Sequence, residues 1–279
     1  LIVVVSDIHL GYERCNREDF EDFIDSFLVK EDIKHLVLLG DILDFWRRLN
    51  EGVLFENMQV LYKLSSLPAE VHYVIGNHDF SLCCLKQYET LQFDVTDNLA
   101  LESGGKKFRF IHGHQIEFGD LLPFYEEICQ MLCTSGDERG QILSDLWDFY
   151  ERKIKRGFIN RIKDFFSGKK PGVTRFGQLD NWNQKKLNEK IDFILQSFEE
   201  REKSPLFRKE LFEADLLVAQ YDESINLQSD EILVYGHTHK PFVKKDKANT
   251  GCWVSGCDNT NSYLRIDDGQ MGLDYWKKR

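Results

Sequence analysis

Tyr73-Val-Ile-Gly-Asn-His-Asp-Phe80 decides the fold: a short run of β-forming residues breaks at Gly76 and is followed at once by Asn77, His78 and Asp79. A glycine permits the tight exit from a strand, and polar side chains after it lie at the strand's carboxyl end, where open α/β sheets carry their chemistry. Four other stretches share this grammar: VVVSDIHL at 3–10, LVLLGDILDFW at 36–46, FRFIHGHQ at 108–115 and ILVYGHTHKP at 232–241. In each, an apolar run ends abruptly in Asp, His or Asn.

Outward from these stretches, strands are predicted at 2–5, 36–39, 72–75, 108–111 and 232–235. Between the first of them, residues 18–29 place Phe20, Phe23, Ile24, Phe27 and Leu28 at helical spacing. A second helix over 53–66 turns Leu54, Val60, Leu61 and Leu64 inward and is stopped by Pro68. The alternation predicts an α/β fold with a largely parallel sheet, right-handed crossovers and helices linking the strands. Short antiparallel strands at 253–255, 263–266 and 271–275 close it, with Asp268-Gly269 as a hairpin turn. Residues 120–230 interrupt the rhythm. There Leu143, Trp147, Tyr150, Ile154, Phe158, Ile162 and Phe165 step by three or four, as do Leu187, Ile191, Ile194 and Phe198, which predicts a helical insertion between core segments 1–119 and 231–279.

The chain of 279 residues is 42% apolar and 13% aromatic, enough for a packed core, and 36 basic against 47 acidic residues leave a net charge of −11. Such a balance argues against whole-surface attraction to nucleic acid or to an anionic membrane, though not against a local basic patch. The seven cysteines are odd in number, scattered and without paired CxxC knuckles, as expected of reduced thiols in a cytoplasmic protein. The apolar opening Leu1 to Val5 is too short for a signal segment, and no later run reaches the length of a membrane span.

Jointly the five strand ends offer Asp7, His9, Asp41, Asn77, His112, His237 and His239. Carboxylates and imidazoles gathered beside apolar strands cost several kcal/mol each in desolvation unless a cation gathers them, and a pair of divalent metals would do so. Carboxylate, imidazole and one amide, without sulfur, suit Mn, Fe, Co, Ni or Zn better than Ca or Mg. Two metals need a shared ligand, and Asp41, in the middle of the set, is the bridging candidate. His114 lies in the fourth stretch as well and is not excluded by sequence; His112 is preferred because it comes directly off the strand.

Asp7-Ile-His9, Gly40-Asp41-Ile-Leu-Asp44, Gly76-Asn77-His78-Asp79, His112 and Gly236-His237-Thr-His239 resemble, in order and spacing, the five motifs of the calcineurin-like metallophosphoesterases. Each motif alone is weak; all five in order are specific. The resemblance implies a two-sheet sandwich flanked by helices, with two divalent transition-metal ions, manganese foremost, at the strand ends. One metal would take Asp7, His9, Asp41 and His239, and the other Asp41, Asn77, His112 and His237. It makes His78 catalytic, protonating the leaving oxygen or stabilising phosphoryl charge, with Asp44 hydrogen-bonded to its imidazole and a metal-bridging hydroxide as nucleophile. Asp79 is read as a helix cap as readily as a chemical group, and His35 and His72 are assigned no function.

Within the family, DIHLG, GDILDFW and GNHDF with an insertion after the fourth motif look most like the branch of UDP-2,3-diacylglucosamine pyrophosphatases. The chain departs from that branch in carrying His78 where the branch has arginine, and His112-Gly-His114 where it has HGD. The fold and phosphoester chemistry therefore carry over, and a phosphorylated small-molecule or lipid-linked substrate is expected, with Arg47 and His114 as candidate contacts and the insertion as a lid. A metal-dependent nuclease is the competing enzyme reading, because 152–175 holds nine Lys/Arg against Asp164 with Phe158, Phe165 and Phe166 interleaved; nucleic acid is the less favoured partner. A non-catalytic scaffold on the same fold would be expected to lose ligands, and this chain keeps all seven.

Overall fold

The computed structural model describes residues 1–87, 93–118, 122–135, 227–257 and 259–277. In chain order these residues form β1 (Ile2–Val5), α1 (Arg17–Phe23), β2 (His35–Leu39), α2 (Asn50–Ser65), β3 (Glu70–Val74), β4 (Asp94–Thr96), β5 (Asn98–Ser103) and β6 (Lys106–Ile111). There follow α3 (His114–Phe118), α4 (Leu122–Ser135), β7 (Glu231–Tyr235), β8 (Phe242–Val243), β9 (Lys247–Asn249), β10 (Ser262–Asp267) and β11 (Gln270–Tyr275).

The strands make two sheets, six-stranded in the order β11-β10-β1-β2-β3-β4 and five-stranded in the order β5-β6-β7-β9-β8. β1 to β4 are parallel, as are β6, β7 and β9; β10 and β11 in the first sheet and β5 and β8 in the second pair antiparallel. The sheets meet through one core. Ile2, Val4, Val37, Leu39, Val74, Leu264 and Ile266 from the first pack with Phe108, Phe110, Ile232, Val234 and Ala248 from the second. The alternate residues Val3, Val5, Leu36 and Leu38 are buried too, so β1 and β2 are covered on both faces and read as unbroken apolar runs. The expected α/β fold with two sheets is the one observed.

Helix α1 starts where expected and passes at Ile24–Leu28 into a wider π turn, with Val29 N–H donating to Ile24 O at 3.1 Å. It buries Phe20 and Phe23 against Trp253, and Phe23 also lies 4.8 Å from the Tyr263 ring and 5.3 Å from that of Trp276. In α2 the buried stripe is Val53, Asn57, Val60 and Leu64, not the expected Leu54, Val60, Leu61 and Leu64. Leu54 is exposed and Leu61 half-buried. Asn57 occupies an apolar stripe because its amide donates back to Val53 O at 2.7 Å, a partner that residue type alone does not reveal.

Three expectations need correcting. No helix links β3 to β6: a 3-10 stretch over Phe80–Gln87 and the short strands β4 and β5 fill that interval among the described residues. The strand at 108–111 belongs to the second sheet. Residues 253–255 make no strand, only the bridge of Val254 to Cys15; Trp253 N–H donates to Asp7 O and its carbonyl accepts from Asn16 N–H, so the segment threads between two loops. The turn at Asp268-Gly269 is present, with φ of 44° and 71° at its two residues. Of the segment 120–230, α4 is described; 136–226, with the helical periods and the basic run read there, lie outside the described residues.

Phe23 touches five aromatic rings, those of Phe20, Phe27, Trp253, Tyr263 and Trp276. Phe23→Ala should cost about 3–5 kcal/mol of stability, the usual range for a phenylalanine removed from a packed core. Denaturant unfolding measures it, and a loss under 1 kcal/mol would show that the aromatic cluster is not part of the cooperative core, roughly the cost of a surface change.

Candidate metal centre

The centre lies at the carboxyl ends of β1, β2 and β3 from one sheet and β6 and β7 from the other. At these ends the chain must turn sharply while aiming side chains inward. It does so in the left-handed region, with φ of 53° at Asp7, 56° at His9, 54° at Asp41, 64° at His237 and 57° at His239. Each costs about 1 kcal/mol or more for a residue with a Cβ, and such conformations persist where neighbours over-determine them. Here Asp7 N–H donates to Gly40 O (3.1 Å), His9 N–H to Asp41 O and Leu10 N–H to Ile42 O (both 2.9 Å), zipping the loop after β1 to the loop after β2. Gly40 itself has a φ of 80°, and a methyl group on it would collide with the His112 ring.

All seven expected ligands come together and are buried, His239 less fully than the rest. His239 Nε2 lies 3.1 Å from Asp7 Oδ1, and His9 Nε2 lies 3.9 Å from the same oxygen and 3.8 Å from Asp41 Oδ2. On the other side His112 Nε2 stands 3.2 Å from Asp41 Oδ2, 3.1 Å from Asn77 Oδ1 and 4.0 Å from Asp7 Oδ1. His112 Nδ1–H donates to Leu39 O at 2.9 Å, so in the neutral ring Nε2 is the lone-pair nitrogen, and it faces the oxygens. Asp7, His9 and His239 form one compact donor group and Asp41, His112 and His237 another. His114 joins neither: it is buried beside His112 and Tyr125, with no hydrogen-bond partner at either ring nitrogen.

The charges are arranged for a cation. Burial raises the Asp41 and Asp7 carboxyls, yet the imidazoles around them, His112 and His78 for Asp41 and His239 and His112 for Asp7, hold both below the usual range. Conversely, burial disfavours a charged His112, but Asp41 and Asp7 push it up to about 9, and Asp7 likewise holds His239 well above the ordinary imidazole value. The group thus needs positive charge and takes it from imidazolium where nothing else supplies it. Asp7 Oδ1 and His9 Nε2 are buried without a hydrogen-bond partner. Ligand atoms of Asp7, His9 and His239 that lie within 4.8 Å of one another, carboxylate oxygen beside ring nitrogen, fit a divalent transition metal.

Next to these donors Asp44 Oδ2 accepts from His9 Nδ1 (3.1 Å) and from the Arg47 guanidinium, and stands 3.3 Å from His78 Nδ1. His78 stacks on Trp46, ring centroids 4.0 Å apart, and its backbone N–H donates to Asp41 Oδ1 at 2.7 Å. Burial lowers the His78 pKa, with Asp44 and Asp41 pulling the other way. Arg47 is buried, paired with Asp44 and set over the Tyr12 ring at 3.8 Å. Arg48 pairs with Glu56.

Two residues of the site were missed by sequence reasoning or read too weakly. Asp79 caps no helix: it accepts from the N–H groups of Ile42 (2.9 Å) and Gly76 (2.7 Å) and from Tyr73 Oη (2.7 Å), clamping the loop after β2 to the loop after β3. Glu117 on α3 accepts from His237 Nε2 at 2.5 Å and so fixes that ring. Its only signal was position, five residues after His112 on a helix not foreseen. Cys257 Sγ also lies 3.7 Å from His239 Nδ1, so sulfur borders a centre expected to lack it.

The sequence profile described as "Calcineurin-like phosphoesterase" matches residues 1–241. Among curated proteins, the chain is similar to the UDP-2,3-diacylglucosamine hydrolase of Aliivibrio fischeri (strain MJ11), 21% identical over 280 residues that cover 96% of this chain and 95% of the relative. Among solved structures it is similar to wild-type Vps29 from Entamoeba histolytica complexed with zinc (14% identity, TM-score 0.39, 98% and 89% of the two chains). An archaeal phosphodiesterase is likewise similar (15%, 0.38, 98% and 98%). At those scores neither structure bears on the assignment. The match over residues 1–241 does: the chain belongs to the calcineurin-like phosphoesterase family and is a phosphoester hydrolase.

Proposed function

We propose that the chain hydrolyses a phosphomonoester, phosphodiester or pyrophosphate bond at a centre of two divalent cations. The observation that carries this reading is the pair of adjacent donor groups, Asp7–His9–His239 and Asp41–His112–His237, with Asp41 Oδ2 facing both His9 and His112. One cation would take Asp7, His9, Asp41 and His239; the other would take Asp41, Asn77, His112 and His237. Divalent cations held there supply Lewis-acid charge for the phosphoryl oxygens and acidify the attacking water, and manganese suits the mixed oxygen and nitrogen donors.

His78 handles the proton. His78 Nδ1 stands 3.3 Å from Asp44 Oδ2 and 3.5 Å from Arg47 Nη1; with its proton turned to the carboxylate, Nε2 would be the atom that gives a proton to the leaving oxygen or receives it back. Trp46 fixes the ring plane, and Arg47 offsets the Asp44 charge that would otherwise hold the proton on the imidazole. An anionic phosphoryl group in the mouth of the centre adds to the pull of Asp44 and Asp41 and favours the charged ring.

We further propose a nucleotide-linked or lipid-linked substrate, with the insertion 120–230 setting the choice and the cytoplasm, consistent with the odd count of seven cysteines, as the setting. Support comes from the relative named for UDP-2,3-diacylglucosamine. Product release from UDP-2,3-diacylglucosamine, a dinucleotide and single-stranded DNA, assayed side by side, tests this; DNA cleaved fastest would make the chain a nuclease.

After reconstitution with manganese the wild-type chain should hold at least two ions, and Asp41→Asn should lower the content by up to two and remove most aryl phosphoester hydrolysis. One ion or none in the wild type, by elemental analysis, would sink the binuclear reading. His78→Ala should keep both ions and lose rate by ~10²–10⁴-fold, less for an acidic leaving group that hardly needs a proton. Equal losses for good and poor leaving groups would leave His78 only an electrostatic role.

A further inference from the structure

At the opposite, amino edge of the first sheet lies a second set of metal-ligating side chains. The parallel register sets His35 beside Glu70 and His72 beside Asp94; His72, two residues after Glu70, shares its face, so all four project from one face of β2, β3 and β4. His35 Nδ1 is 3.1 Å from His72 Nε2 and 3.3 Å from Glu70 Oε2, and His72 Nδ1 is 3.2 Å from Asp94 Oδ2. Both imidazole side chains are 10% exposed, whereas those of Glu70 and Asp94 are 68% and 64% exposed. Two nearly dry rings therefore meet carboxylates that reach in from water. About 13 Å of β2 separates His35 from the strand end that precedes Asp41, too far for a shared ion.

The proton positions follow from donor chemistry. A carboxylate only accepts, so His72 Nδ1–H donates to Asp94, and in the neutral ring His72 Nε2 presents its lone pair towards His35 Nδ1 and Glu70. By the same rule His35 Nδ1 carries its proton towards His72 Nε2 and Glu70, and a metal ion bound there would take the place of that proton. Tetrahedral zinc, with bonds of ~2.0–2.1 Å to nitrogen and oxygen, sets its ligand atoms roughly 3.3 Å apart. The observed separations of 3.1 and 3.3 Å match that edge. A carboxylate behind a ligating imidazole is how metal sites fix the ring and raise its basicity, and Asp94 stands in that position.

We propose that His35, His72 and Glu70 form a separate, mononuclear site for a divalent transition metal of the zinc class, with Asp94 as the positioning residue for His72 and a fourth position left for water. Bound there, the ion would tie the amino ends of β2 and β3 together, independent of phosphoester hydrolysis. The test is zinc content and affinity of the full chain, stripped of metal and titrated with Zn²⁺ alone. His72→Ala should hold one Zn²⁺ fewer per chain than the wild type, with aryl phosphoester hydrolysis unchanged. Asp94→Asn should keep the ion but weaken it by about 10–100-fold. Glu70→Gln, whose side chain is mostly in solvent and so does not threaten the fold, carries the test if His72→Ala does not fold, and should also weaken that ion. Equal zinc content and affinity in the wild type and all folded variants would overturn the site and leave a hydrogen-bonded histidine pair. So would binding at that edge so weak that it is lost on gel filtration.

Discussion

The buried Asp41 carboxylate, and where it finds positive charge, is the constraint on which the strand ends depend. One oxygen is held by the His78 backbone N–H; the other faces His112 from the second sheet and His9 from the loop after β1. A carboxylate so placed costs several kcal/mol unless it is paired, and removing one partner of a buried pair costs more than the pair itself gives. His112 is anchored through Nδ1 to Leu39 O, so the same charge pairing that serves the centre also joins β6 to β2, one strand from each sheet. Chemistry and cohesion between the sheets are therefore one problem here. A change that unbalances the centre also loosens the contact between the layers.

The strain in the backbone has the same origin. Seven donors can converge on a small volume only if the chain turns within one or two residues of each strand, and a left-handed residue is the shortest such turn. Five of the seven expected ligands adopt it, at a combined cost of several kcal/mol. The zipped loops after β1 and β2 and the Asp79 clamp between β2 and β3 offset that cost with hydrogen bonds made inside the protein, where an unmade one would be expensive. The resulting cradle is braced by hydrogen bonds within the protein, and charges fixed in this way are the condition for electrostatic stabilisation without reorganisation.

What could be read from sequence follows from these local rules. An apolar run that stops at a polar residue marks a strand end in any context, so β1, β2, β3, β6 and β7 were legible, and with them the seven polar side chains that their ends bring together. The phase of α2 was not, because Asn57, a residue type that reads as outward, is buried with its Nδ2–H donating to Val53 O on its own helix. β4 and β8 have three and two residues, below the length at which alternation is visible, and exist because a neighbouring edge accepts them. Glu117 and Asp79 act through partners distant in sequence or through backbone N–H groups, and neither relation leaves a periodic trace. His35 and His72 read as ordinary strand residues until the register of β2 on β3 sets their rings side by side.

The pairing of the arginines that follow β2 and open α1 also bears on substrate choice. Arg47, expected to reach a substrate, is buried on Asp44; Arg48 is matched by Glu56 and Arg17 by Glu21. These three arginines line the cleft beside Tyr12 and Glu13, and each already faces a carboxylate. To recruit one of them, a second phosphate would have to displace a neighbouring acid, and for Arg47 that acid is the group that orients His78. Under the role proposed for His78, recognition of a substrate beyond its reacting phosphoryl group would conflict with proton handling if it fell on Arg47. It does not conflict if it falls on cations supplied by another segment. The run of nine Lys/Arg in 152–175 belongs to the insertion, between the stretch that supplies His112 and the one that supplies His237. Assigning a second contact to that run would leave the Arg47–Asp44–His78 contacts undisturbed, which is the physical reason behind the proposal that specificity lies in 120–230 and chemistry at the strand ends.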